Sequence, residues 1–216
     1  DSDCGQNGTQ EGGLEAAYCD PNNVYGSKGH NFWTDPAMRK EFIEVWKFVA
    51  NRYKNTPYIG MYEILPEPGA PGATQAQVTE FYKELIAAIR SVDPNSPILI
   101  GAGNGYNIKR AGDAYIPNTT GIIYTGNLFI YTGKTKEGNI AELTVRLQGL
   151  IDLRNTHNVP IFVQQTGARS GDDPDLAYTH ALLSLLNKNN IGWTWWTYRQ
   201  DGPYPEGYGI LYPNKT

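Results

Sequence analysis

Apolar positions along this chain alternate between two periods. From Asp35 to Tyr53, in DPAMRKEFIEVWKFVANRY, Phe42, Val45, Trp46 and Val49 recur at helical spacing, and Asp35-Pro36 supplies a start signal. That spacing predicts an amphipathic helix with those four residues on one face. The next stretch, YIGMYEILPEP, is rich in β-forming residues and stops at Pro68 ahead of a Gly/Pro/Ala loop, which predicts a buried strand and then a loop. The alternation continues with QAQVTEFYKELIAAIRSV as helix, PILIGAG as strand, an irregular loop, and GIIYTGNLFIY as strand. After these come NIAELTVRLQGLIDLRNTH as helix, PIFVQQTG as strand, DLAYTHALLSLLNKNN as helix and IGWTWWTYR as strand. Strands that alternate with helices in this way imply parallel βαβ crossovers, and so either a doubly wound sheet or a (β/α) barrel.

Two observations choose between these. A five-stranded open sheet of flavodoxin type would be supported by a Gly-rich phosphate fingerprint at its first βα turn, and the sequence has none. Polar and acidic residues instead gather where the strands end, at Glu67, Asn104, Asn127, Gln165 and Tyr198, which is the rim where barrel enzymes keep their sites. The expected fold class is therefore α/β, of the (β/α)8 TIM-barrel type, in one domain over residues 1–216.

Composition narrows the partners. The net charge is −4 and the 18 basic residues are scattered, which argues against a nucleic-acid partner. Aromatic content is high, with 15 Tyr and 5 Trp, many beside Gly, Asn and Asp, an arrangement suited to holding sugars although core packing would also use it. No stretch approaches the roughly 18 apolar residues a membrane span needs, and the N-terminus lacks a tripartite signal, so a soluble chain is expected. Cys4 and Cys19 bracket a Gly/Asn-rich loop, with a disulfide and two free thiols equally open. Sequons at Asn7, Asn118 and Asn214 are compatible with secretion. His30, His157 and His180 have no ligand spacing, and neither a metal nor another cofactor is expected.

Several segments resemble glycoside hydrolase family 5, the cellulase family. The run from Trp46 through RYKNTPYIGMYEILPEP is similar to the family's helix leading into its fourth barrel strand, which ends in Asn-Glu-Pro with Glu as acid/base. Glu67 occupies that position, and Pro66 replaces the Asn that contacts the sugar's 2-hydroxyl. VPIFVQQTGARSG resembles the seventh-strand segment and places Gln165 where the nucleophilic Glu stands. IIYTGNLFIY is similar to the sixth strand with its His-x-Tyr pair, and puts Asn127 and Phe129 at those positions. IGWTWWTYR resembles the eighth strand, whose Trp floors the sugar subsite and is matched by Trp196. CGQNGTQEGG resembles the loop after the third strand, so the resemblance implies an incomplete barrel of about five βα units, strands four to eight.

The chemistry turns on residue 165. A retaining glycosidase uses one carboxylic acid to protonate the leaving oxygen and a second carboxylate, about 5 Å away, to capture the oxocarbenium-like centre. The amide oxygen of Gln165 is neutral and weakly nucleophilic, so the usual route should slow by many orders of magnitude. An inverting route needs another base, for which Asp172, Asp173, Asp175 and Asp201 are rim candidates. The resemblance thus implies a hydrolase of β-linked polysaccharide, of cellulose, β-glucan or mannan type, with Glu67 and Gln165 at the catalytic positions. Trp196, Asn127, Phe129 and Tyr106 are the substrate-binding candidates, though Phe129 and Tyr106 could equally be packing residues. The alternative is a carbohydrate-binding pseudoenzyme. Glu63, on the face of Glu67, reads as a buried hydrogen-bonded residue, while Trp193 and Trp195 have the opposite parity to Trp196. A parallel sheet buries both faces, so the second face is expected to be covered by residues 1–34 or by self-association, or left exposed. A secreted protein is expected.

Overall fold

The computed structural model describes residues 32, 33, 35–68, 73–129, 135–169, 172–199 and 208–211. Cys4, Cys19, Asn7, His30, Asp201, Asn214 and most of the N-terminal segment expected to cover the sheet lie outside them. Among the described residues the strands are β1 (Tyr62–Glu63), β2 (Ile98–Gly101), β3 (Ile122–Leu128), β4 (Ile161–Thr166) and β5 (Gly192–Trp195), in one sheet ordered β1-β2-β3-β4-β5. The helices are α1 (Pro36–Tyr53), α2 (Gln75–Arg90), the single turn α3 (Gly103–Tyr106), α4 (Lys136–His157) and α5 (Ala177–Lys188). Spatial order equals chain order, so each connection joins adjacent strands; a doubly wound sheet would reverse direction from a central strand. The architecture is of the (β/α)8 type, represented here by five parallel strands among the described residues. The chain forms two compact units, residues 1–106 with 113–123, and residues 107–112 with 124–216.

In the first unit the start signal at Asp35 acts as read: its carboxylate accepts from the Ala37 and Met38 N–H groups at 2.9 and 3.3 Å, with Pro36 where a missing N–H costs nothing. The inward stripe of α1 runs through Phe42, Trp46 and Ala50. Phe42 packs on Phe32 and Phe81 with centroids 5.5 and 5.8 Å apart, and Trp46 meets Tyr62 at 6.0 Å. Val45, grouped with this face from the sequence, is 59% exposed and Phe48 is 69% exposed. The i, i+4, i+8 line leaves Val45 about 100° away from Trp46.

α2 opens with a reciprocal capping box between Thr74 and Gln77 and buries Val78, Phe81, Tyr82, Leu85, Ile86 and Ile89. β2 is wholly buried, as expected for a parallel strand covered on both faces. The turn between them is fixed by Asp93, which accepts from the Asn95 and Ser96 N–H groups at 3.1 and 3.0 Å and from the Tyr62 hydroxyl at 2.9 Å. Only Tyr62 and Glu63 of the predicted first strand enter the ladder, pairing with Ile98 and Leu99. Pro66 and Pro68, which have no N–H to donate, then carry the chain out of the sheet.

In the second unit α4 starts at Lys136, earlier than the Asn139 start read from sequence, because the Thr135 hydroxyl accepts from the Gly138 N–H at 3.2 Å. It buries Leu143, Leu147, Leu150 and Leu153 and stops at Asn158 in the left-handed conformation. The predicted irregular loop before β3 contains a 3-10 helix, Ile108–Ala114. A Cβ at Gly149 of α4 would lie 2.6 Å from the Ile108 and Lys109 carbonyl oxygens, so this glycine permits the close approach. β4 carries an irregularity at its outer end. Gly126 pairs with Val163 but Asn127 with Gln165, leaving Gln164 as an inserted residue, and the β5 register also shifts between Val163 and Thr166.

Candidate active site

In the first unit the candidate acid, Glu67, is half-buried beyond the end of β1, between Pro66 and buried Pro68. Its φ of +46° lies in the left-handed region, which is costly for a non-glycine residue and doubly restricted ahead of a proline. Tyr106 also has a positive φ, +54°. This residue, a substrate-binding candidate from the sequence, has 0% exposure, and its hydroxyl donates to the Leu65 carbonyl at 2.9 Å. It presents no surface to a sugar: the turn of α3 directs it into the core. Burial first, then the neighbouring Tyr82 and Glu63, push its hydroxyl well above the usual tyrosine range, so it remains a proton donor. One carboxylate oxygen of Glu63, a half-buried residue, is itself buried.

In the second unit Asn127 and Gln165, two of the positions where the resemblance marks a departure from the family pattern, are register partners and neighbours. The Asn127 amide donates to Gln165 Oε1 at 3.4 Å. The inserted Gln164 re-aims the residue after it, a usual role of such irregularities at strand ends. Gln164 is itself held on both sides, its N–H on the Thr125 hydroxyl at 3.0 Å and its carbonyl accepting from the Thr194 hydroxyl.

Trp196 follows β5, with its N–H on the Thr166 carbonyl at 2.8 Å, and is 43% exposed. Its peptide bond to Thr197 is cis. Trp193 and Trp195 are half-buried, and Trp195 Nε1 donates to the Tyr208 carbonyl at 3.1 Å. Phe129 is half-buried and packs edge-on against Tyr208 at 5.4 Å, while Arg146 donates to its carbonyl at 2.9 Å. Arg169 stacks over the other partner in this group, Tyr208, at 5.4 Å. Tyr208 had no signal in the sequence; only the return of residues 208–211 alongside Thr197–Arg199 brings it there.

Two of the four aspartates proposed as alternative bases have other work. Asp173 is buried and accepts from the Tyr178 and Thr179 N–H groups at 2.9 and 2.8 Å and from the Thr179 hydroxyl at 2.7 Å, capping α5. Asp175 is paired with Lys136, whose hydrogen bond holds its carboxyl below the usual range. Asp172 is exposed, and the side chain of Asn104 is not among those described. Among the described residues no three His, Cys, Asp or Glu groups stand together as a metal site, and no helix is long and apolar enough to cross a membrane. The first unit therefore offers a carboxyl group for proton transfer. The second offers amides for hydroxyl groups and an indole face for stacking.

A βα alternation in barrel order, with polar residues at the strand ends, defines a (β/α)-barrel class of protein. The Cellulase (glycosyl hydrolase family 5) profile matches residues 15–202, and the chain belongs to that family. It is 25% identical over 179 residues to Endoglucanase N of Pectobacterium atrosepticum, covering 81% of this chain and 35% of that protein. It is 27% identical over 126 residues to the probable mannan endo-1,4-beta-mannosidase A of Aspergillus niger, covering 57% of this chain and 32% of that protein. Among solved structures, endoglucanase Cel5A of Thermotoga maritima superposes with a TM-score of 0.69 at 21% identity, over 83% of this chain and 63% of that one. The chain thus spans about a third of the length of these two curated relatives.

Proposed function

We propose that the chain is a glycoside hydrolase acting on a β-linked polysaccharide of glucan or mannan type, with Glu67 as the acid that protonates the leaving oxygen. The observation that carries this reading is the family match across residues 15–202, which spans the segment whose resemblance to the family's fourth strand makes Glu67 the proposed acid. Its relatives bear the names endoglucanase and mannan endo-1,4-beta-mannosidase, which supports a β-linked hexose polymer as substrate. Trp196 would floor a sugar subsite, and Asn127 and Gln165 would bind hydroxyl groups. A role in extracellular polysaccharide breakdown belongs to the same proposal, as does a second copy or the N-terminal segment covering the sheet. The exposed sequon at Asn118 suits secretion.

Gln165 sets the rate. With no carboxylate at that position, turnover should be slow, and Gln165→Glu should raise it by supplying the nucleophile of a retaining pair. The experiment measures reducing-sugar release from carboxymethylcellulose, lichenan and mannan by the chain, by Glu67→Gln and by Gln165→Glu. Weak activity in the chain, abolished by Glu67→Gln and raised at least about a hundredfold by Gln165→Glu, is expected. Activity that survives Glu67→Gln would remove Glu67 from the mechanism. Binding of these glycans with no turnover by any of the three folded proteins would identify a sugar-binding protein without catalysis.

A further inference from the structure

We infer that Tyr106, with Tyr82 beside it, is a positioning residue for Glu67, clamping the Leu65 carbonyl so that the backbone through Pro66 delivers Glu67 in its left-handed conformation. The inference rests on the reading of Glu67 as the acid. Its physical basis lies entirely within the first unit.

The Leu65 carbonyl accepts two buried hydroxyls, Tyr106 at 2.9 Å and Tyr82 at 3.4 Å. Both tyrosines are 0% exposed, so neither hydroxyl is there for solvent. They come from different elements, Tyr82 from the middle of α2 and Tyr106 from the end of α3, and they meet at one backbone atom. The Tyr106 hydroxyl also faces the Glu63 carboxylate and the Tyr82 hydroxyl, so its orientation is held by a polar cluster. From Leu65 the path to Glu67 is short and stiff. Pro66 has a fixed φ, Glu67 sits at φ +46°, and Pro68 is buried.

A glutamate ahead of a proline does not adopt that conformation by preference, and a tyrosine with φ +54° is itself strained. Two such residues joined through one carbonyl indicate that the surrounding contacts over-determine the backbone there. The clamp gives Tyr106 a use that its burial denies it as a sugar contact. Glu67 would keep its carboxyl group in Tyr106→Phe but lose its fixed direction.

The test compares the full chain with Tyr106→Phe and Tyr82→Phe, each shown to be folded by near-ultraviolet circular dichroism. Carbon-13 NMR reads the Glu67 Cα shift, which reports its backbone conformation, and the titration of its side-chain carboxyl. Tyr106→Phe is expected to move the Cα shift toward extended values and the titration midpoint by about half a pH unit or more, and Tyr82→Phe, which removes the longer bond, to move both less. On an aryl glycoside with a poor leaving group, kcat should fall about tenfold to a hundredfold in Tyr106→Phe with KM unchanged. Folded variants of lower stability whose Glu67 signals match those of the parent chain would overturn the inference and leave the tyrosines as packing alone. A parent chain without turnover would count against the proposed hydrolase, while the Glu67 signals would still decide the clamp. If Tyr106→Phe does not fold, Tyr82→Phe decides by the same two signals.

Discussion

Asp93 shows how a single carboxylate can bind a turn to a strand. Burial works to raise its pKa, but hydrogen bonds from the Ser96 side chain and N–H, from Tyr62 and from the Asn95 N–H outweigh it and hold the carboxyl at about 2, against an ordinary 3.8. Because the folded value is depressed, the stabilisation is complete above the ordinary value and is lost as pH falls through about 2. It amounts to about 2 kcal/mol. Urea unfolding at pH 7 should show Asp93→Asn less stable by about 1–2 kcal/mol, with the gap closing near the lower pH. A gap that persists unchanged at acid pH would mean that the charge is not what holds the turn. The tryptophans of the last strand invite a second comparison at this scale. Trp196→Ala should weaken glycan binding by about 0.5–1.5 kcal/mol with little loss of fold. Trp193→Ala should lower stability by about 1–3 kcal/mol and leave binding per folded molecule unchanged. Isothermal titration with a soluble β-glucan oligosaccharide, alongside urea unfolding, separates the two; equal binding losses would undo the assignment of Trp196 to the subsite.

Among the elements, α4 depends on a glycine that helix propensity alone would reject. Gly149→Ala gains up to about 1 kcal/mol of intrinsic propensity. The new Cβ would, however, meet two carbonyl oxygens at 2.6 Å. Backbone must move to relieve that contact, so a net destabilisation of about 1–3 kcal/mol is expected in urea unfolding. A variant at least as stable as the parent would show that the segment at Ile108 and Lys109 yields freely. β4 illustrates a different dependence on neighbours. Its sequence, IFVQQT, reads as a plain strand, yet the register against β3 and β5 inserts a residue at its outer end. That insertion decides which of two adjacent glutamines meets Asn127.

Across the whole molecule, the sequence by itself determined the alternation of helices and strands, the barrel class and the position of the candidate acid. The alternation follows from local periodicity, in which buried parallel strands are short apolar runs, helices repeat every three to four residues, and prolines and caps mark their ends. The barrel class came from polar residues at the strand ends, and the acid position from the resemblance to family 5. Glu67 was legible because it ends such a run between two prolines. The tertiary structure alone decided the remaining features. The inward stripe of α1 turned toward Ala50 and left Val45 outside, because Phe32, Phe81 and Tyr62 supply its partners. Tyr106 left the list of sugar contacts and joined Tyr82 on a backbone carbonyl far away in sequence, and Asp173 became a helix cap. Tyr208 reached Trp195, Phe129 and Arg169 from the far end of the chain. Apart from the Asp173 cap, which is local to the start of α5, each of these is a contact between residues that no local pattern couples, and a side chain's role is set by what the folded backbone brings against it.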